Sequence, residues 1–152
     1  MLLRPHSTQD DATPNPNAVA AQNLVRLAVL AGRDSLRQKA DRLIEGILSA
    51  AQSNLFSHVA MLNALDLRLR GAEVVATGSE AERFAQAALK LPYLDRVVLR
   101  AASSADLPTS HPAQKKLKAA GSAAFICVGQ RCSLPVVSPD QVATAVAAMR
   151  GV

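Results

Sequence analysis

The sequence predicts an α/β protein: antiparallel helices over residues 1–70, then a small mixed-sheet domain over residues 71–152. Two observations carry this. Up to Gly71 the apolar residues recur at helical spacing, whereas beyond it short β-prone runs alternate with helical ones. In addition, two apolar stretches flank Gly129-Gln130, the pattern of a two-residue hairpin.

Residues 1–16 are rich in Pro, Asn and Asp and read as a loop, with Pro14-Asn15-Pro16 excluding helix. Asn17 is the expected N-cap of a first helix carrying Val19, Ala20, Asn23, Leu24, Leu27, Ala28 and Ala31 at helical spacing, and Gly32 stops it. A second helix, capped by Asp34 or Ser35, buries Leu36, Ala40, Leu43, Ile44, Ile47 and Leu48 and ends near Gln52. A third runs from about Phe56 to Leu69 with Val59, Leu62, Leu65 and Leu69 inward. Short links make neighbouring helices antiparallel.

After Gly71 the expected order is β-α-β-α-β-β-α. Glu73–Thr77 is a strand, and Ser79 with Glu82 has the spacing of a capping box for a helix reaching about Lys90. Arg96–Leu99 is the second strand, residues 101–111 form a Ser/Pro/Asp loop, and Ala113–Ala119 is a short helix after Pro112. The hairpin follows, then Ser138-Pro139 as cap and first helical residue of a last helix to about Met149. Parallel strands joined through a helix, then a hairpin and a final helix, is the order of a thioredoxin-like core.

The chain has two cysteines, Cys127 and Cys132, in the hairpin. With Val128 and Arg131 closing a type II′ turn, the cysteines fall on the next rung, where opposed side chains come closest. That spacing allows a cross-strand disulfide, half of a metal site, or two buried thiols. A thioredoxin-type oxidoreductase would keep Cys-x-x-Cys at the first strand-to-helix turn, where the helix end lowers a thiol's pKa. Here that turn is Thr77-Gly78-Ser79-Glu80, without a thiol. His6, His58 and His111 are not at paired spacing with the cysteines, so no metal site is expected, nor any cofactor.

Composition excludes more. Trp is absent and aromatic residues make up 3%, which leaves little stacking surface for bases or sugars. The formal charge of +5 is scattered along the chain, and its one dense cluster, Lys115-Lys116-Leu117-Lys118, reads as a solvated helix face rather than a nucleic-acid footprint. The N-terminus lacks the apolar run of a secretory signal and no stretch is long enough to span a membrane, so a cytoplasmic protein is expected, with neither nucleic acid nor membrane as partner. In that reducing setting the cysteines are expected to be reduced and buried, or redox-responsive.

Two stretches taken together carry a resemblance. One is Pro14, Asn17, Val19, Ala21, Asn23, Leu24, Arg26 and Leu27; the other is Cys127, Cys132 and Pro135 within Ala124–Pro139. The chain resembles the C-terminal region of the spermatogenesis-associated thioredoxin-domain family. Its members combine an N-terminal thioredoxin-like domain, a six-hairpin toroid similar to N-acylglucosamine 2-epimerases and six-hairpin glycosidases, and a small α/β tail. The resemblance implies that the first helices are the last part of the toroid. It also implies that the loop before the first helix lies at the toroid mouth, making Asp10 and Asp11 candidates for catalytic polar groups; the alternative for both is turn and capping chemistry. Asp11 and Asn15 depart from the family pattern, which has Gly and Ser there.

Three helices cannot enclose a toroid pocket, so no complete active site is expected. The leading expectation is a structural or interaction module, either a fragment of such a protein or a chain that self-associates or binds the remaining toroid portion. Its rivals are part of a carbohydrate-processing enzyme using Asp10 or Asp11, and a redox-sensing pair at Cys127 and Cys132.

Overall fold

The computed structural model describes residues 8–119 and 121–151. The start of the expected leading loop, including His6, lies outside them. The elements are α1 (Pro16–Ala31), α2 (Asp34–Ala51), α3 (Val59–Arg70), β1 (Ala72–Thr77), α4 (Ala81–Leu89), β2 (Arg96–Ala101), α5 (Ala113–Ala119), β3 (Ala123–Val128), β4 (Arg131–Cys132) and α6 (Val142–Arg150). Helices come first and a mixed sheet follows, as expected.

Among the described residues the sheet has the order β2-β1-β3-β4. β1 and β2 are parallel, joined through α4, and β3 runs antiparallel to both β1 and β4. From Ala72 onward the elements follow the expected order β-α-β-α-β-β-α. Strand alternation sorts the sheet's two faces. Ala72, Val74 and Ala76 of β1, with Ala124 and Ile126 of β3, pack against Phe84 of α4 and Val142 and Val146 of α6. Val75, Leu99 and Phe125 point the other way, onto Leu107, Ala113 and the half-buried Leu117 of α5.

The helical half has its own core, in which Ala18 and Ala21 of α1 meet Ile44 and Ile47 of α2 and Met61 and Ala64 of α3. Small residues on α1 let the helices approach closely. The buried stripe differs from the expected one. Ala18, Ala21, Val25, Ala28 and Val29 face inward, while Val19, Leu27 and Leu30 are exposed. Both stripes have helical spacing because α1 is apolar almost all round, so periodicity alone did not choose between them. The same shift affects α3, where Ala60, Met61, Ala64 and Leu67 are buried and Val59 and Leu69 are not.

Three caps also differ from expectation. α2 already includes Asp34 and Ser35, with Arg33 at its N-cap position and no side-chain cap there. Asn15, not Asn17, is the N-cap of α1; its Oδ1 accepts from the amides of Asn17 (2.9 Å) and Ala18 (3.3 Å). Pro16 occupies the first turn, where a missing N–H costs nothing, so the proline that seemed to exclude helix starts it. At α4 the Ser79/Glu82 capping box does not form. The Ser79 hydroxyl pairs with Ser122 Oγ (3.0 Å), which also accepts from the Glu80 amide (3.1 Å), while Glu82 reaches Gln86 and Arg100.

Two clamps join the helical half to the sheet half. At one end Gly32, with φ +62°, ends α1 and lies against the His111 ring and Pro112. His111 Nδ1 accepts from the Ala113 amide (3.1 Å), which places the ring hydrogen on Nε2, and Nε2 donates to Val29 O (3.2 Å). At the other end the buried Arg150 of α6 donates to Asp95 Oδ2 (2.5 Å) and Arg70 O (3.0 Å) and stacks 4.5 Å over the Tyr93 ring.

Candidate functional site: a disulfide rung beside Lys116

One rung of the sheet collects the chemistry-bearing residues. The registers place Val97, Glu73, Cys127 and Cys132 side by side on β2, β1, β3 and β4. Cys127 falls on the same side of β3 as Phe125 and Ala123, so its side chain lies on the α5 face. The turn has the expected register: Val128 opposes Arg131, Cys127 opposes Cys132, and Gly129 takes φ +60° while Gln130 does not go positive. Ser133 N donates to Ile126 O (2.7 Å), leaving the cysteines on a non-hydrogen-bonded rung with Cα atoms 4.0 Å apart.

Cys127 and Cys132 are joined as a disulfide. Of the three states open to this spacing, the structure contains the first. The two sulfurs differ in surroundings: Cys127 is buried, whereas Cys132 is exposed on the edge strand.

Lys116 of α5 reaches down onto this rung. Its Nζ lies 3.4 Å from Cys127 Sγ and 5.6 Å from the centre of the Phe125 ring. It therefore departs from the solvated face expected of the lysine cluster. α5 sits on the sheet through Ala113 and Leu117, and residue 116 projects into the space between α5, β1 and α2. A cavity of about 440 Å³ opens there, with Arg37, Glu73, His111 and Lys116 among its lining residues. Glu73, in the middle of the rung, takes a hydrogen bond from Arg37 (2.9 Å), and Lys116 forms no close ion pair among the described residues, although Glu73's charge still acts on it. Burial holds the Lys116 ammonium below the usual lysine range, with Glu73's charge pulling the other way.

That shift has a sign for stability. Between the lowered folded value and the ordinary one, the unfolded chain binds more protons, so stability rises with pH through this window. At neutral pH the cost of the buried charge is fully present. Lys116→Met, which keeps the apolar stem, is therefore expected to raise the melting temperature of the oxidised chain at neutral pH. This gain should shrink as pH climbs towards lysine's ordinary range, and parallel thermal melts at several pH values check it.

The acidic candidates have other work. Asp10 Oδ1 accepts from the Asn15 amide and Oδ2 from the Ala60 amide, both at 2.8 Å, so its carboxylate bridges the leading loop to the start of α3. This is the turn-and-capping alternative. Asp11 is exposed at the rim of a depression of about 270 Å³ shared with Asp10, Thr13, Val59 and Asn63. Asp10→Ala is expected to cost about 1–2 kcal/mol, as loss of a helix cap does. Asp11→Ala should stay within about 0.5 kcal/mol. Urea unfolding of the two variants measures both.

His58 is buried, with Nδ1 at 2.8 Å from Asn54 O and Nε2 near Thr8 Oγ1. It is a satisfied core histidine. No group of three or more His, Cys, Asp or Glu able to hold a metal occurs among the described residues. No helix there is long and apolar enough to cross a membrane.

Fold and site together define a mixed α/β protein with a helical layer and a disulfide on its sheet edge. Compared with protein-family models, curated proteins and solved structures, the chain gives no match.

Proposed function

We propose that this chain is a redox-responsive interaction module whose working part is the Cys127–Cys132 rung. The observation that carries the reading is the Lys116 ammonium 3.4 Å from Cys127 Sγ, which supplies the positive charge a thiolate on that sulfur needs.

Loop length supports a switch rather than a staple. A crosslink between residues five apart closes a very short loop, worth at most about 2 kcal/mol of denatured-state entropy, so opening it leaves the fold intact. What it tethers is local: β4 is two residues long, and beyond it Val136 and Ala124 exchange backbone hydrogen bonds at 2.8 and 2.9 Å. Leu134 and Val137, both largely exposed, lie on this segment and form its apolar contact surface. A cytoplasmic setting, with a thiol pool able to exchange with the rung, fits the reading.

Hydrogen exchange tests it. Reduction is expected to speed exchange of the Ser133 and Val136 amides, which donate to Ile126 O and Ala124 O, while β1 and α4 amides keep their protection. Unchanged exchange at Ser133 and Val136 would remove the switch.

A second reading rests on α1. Its outward stripe of Val19, Leu27 and Leu30 suits a helix covered on both sides, as in a toroid, and accords with the motif resemblance to the spermatogenesis-associated thioredoxin-domain family. On this reading the chain is the C-terminal module of such a protein, in whose sugar-processing pocket Asp11 could stand. It predicts self-association or binding to the remaining toroid helices. A monodisperse monomer in light scattering, with no affinity for those helices, would contradict it.

A further inference from the structure

The two sulfurs of the rung are not equivalent, and their difference assigns them roles. We infer that a low-molecular-weight thiol opens the disulfide by attacking Cys132, with Cys127 leaving as the thiolate held by Lys116. This rests on the redox-responsive reading above and adds to it the class of reductant and the direction of exchange.

Attack on a disulfide runs in line with the sulfur–sulfur bond. For Cys132 that line starts outside β4, the sheet's edge, where the residue is exposed. For Cys127 it starts from β1, where Glu73 occupies the same rung; there a buried sulfur and a carboxylate meet an incoming anion. The leaving group follows the same logic. Charge developing on Cys127 Sγ finds Lys116 Nζ already at 3.4 Å, whereas among the described residues no cation is hydrogen-bonded to Cys132. A better stabilised thiolate leaves faster.

The steps balance. The incoming thiolate forms a bond to Cys132 Sγ as the Cys127–Cys132 bond breaks, and the electron pair departs on Cys127. A second thiolate attacks the small thiol's own sulfur in this mixed disulfide and releases Cys132. Two small thiols are oxidised to their disulfide, the rung is reduced to two thiols, and protons are exchanged with water. In reverse, Cys127 attacks the mixed disulfide at Cys132 and closes the rung.

Glutathione is the probe. The oxidised full chain is mixed with excess reduced glutathione at neutral pH, quenched early with N-ethylmaleimide and digested with trypsin, which cuts after Arg131 and separates the two cysteines. The expected intermediate carries glutathione on Cys132 and maleimide on Cys127. Lys116→Met is expected to slow opening about tenfold, and Lys116→Arg to restore most of the rate. In Cys132→Ser chains, the pH midpoint for alkylation of Cys127 should move up when Lys116 becomes Met, a shift that a packing role for the lysine would not produce. Glu73, Arg37, Asp34 and His111 line the same cavity, so Glu73→Gln controls for their field and should move the midpoint down. Glutathione found mainly on Cys127, or equally on both, overturns the inference while leaving the switch standing. Failure of any thiol to open the folded chain overturns both.

Discussion

Gly32→Val is expected to destabilise the protein by about 3 kcal/mol or more. A β-branched residue at φ +62° costs about 1–2 kcal/mol by itself. Its Cβ would also stand 2.6 Å from His111 Cδ2 and 2.7 Å from Pro112 Cδ, and overpacking of this kind adds about 1–3 kcal/mol. The contact is also where the helical half meets the sheet half, so the strain falls on the seam. Gly46, on the exposed side of α2, supplies the control: a Cβ there would meet nothing within 4 Å, and Gly46→Ala should stabilise by about 0.5–1 kcal/mol. Urea unfolding of the two variants reads both values, and equal stabilities would contradict the clamp.

At the other end of the seam, Arg150→Ala is expected to cost about 3 kcal/mol. It removes the partner of Asp95, the donor to Arg70 O and the cation over Tyr93 together. Leaving one member of a buried ion pair unpaired typically costs about 3–5 kcal/mol, and the partial exposure of Asp95 places this case at the lower end. Asp95→Asn, which keeps the shape and one acceptor, should cost less. A cost for Arg150→Ala below about 1 kcal/mol would show that the end of α6 does not hold the seam.

The elements were legible in the sequence where local chemistry suffices. Gly129-Gln130 specified the turn, the turn specified the register, and the register placed Cys127 against Cys132. Helix positions followed from spacing in the same way. Helix faces did not, because α1 offers two apolar stripes and only the partners, α2 and α3, decide which is buried. Caps failed for a related reason. Asn15 and Asn17 carry the same side chain, and the choice was made by Asp10, which accepts from the Asn15 amide while anchoring α3. Ser79 was diverted by Ser122, forty-three residues away.

The candidate site was half legible. Its sulfurs were named from sequence; its cation was not. Lys116 sat in a run of lysines whose neighbours Lys115 and Lys118 are indeed exposed. What sets Lys116 apart is position: the packing of Ala113 and Leu117 onto the sheet face of β1 and β3 turns it toward the rung and brings it to Cys127. Apolar residues on either side of a lysine at helical spacing were the available signal. Asp10 shows the opposite case, a residue whose loop suggested a pocket and whose carboxylate is spent on two backbone amides.

A rung that works as a switch has to open and close in the folded protein. A thiol count across a series of reduced-to-oxidised glutathione ratios, by alkylation and intact mass, tests this, with far-ultraviolet circular dichroism on the same samples. The expected result is a reversible two-electron transition from no free thiols to two, centred within the range glutathione can buffer, with the helical signal unchanged throughout. Thiols that appear only together with loss of the helical signal, or a count that does not change across the series, would contradict it.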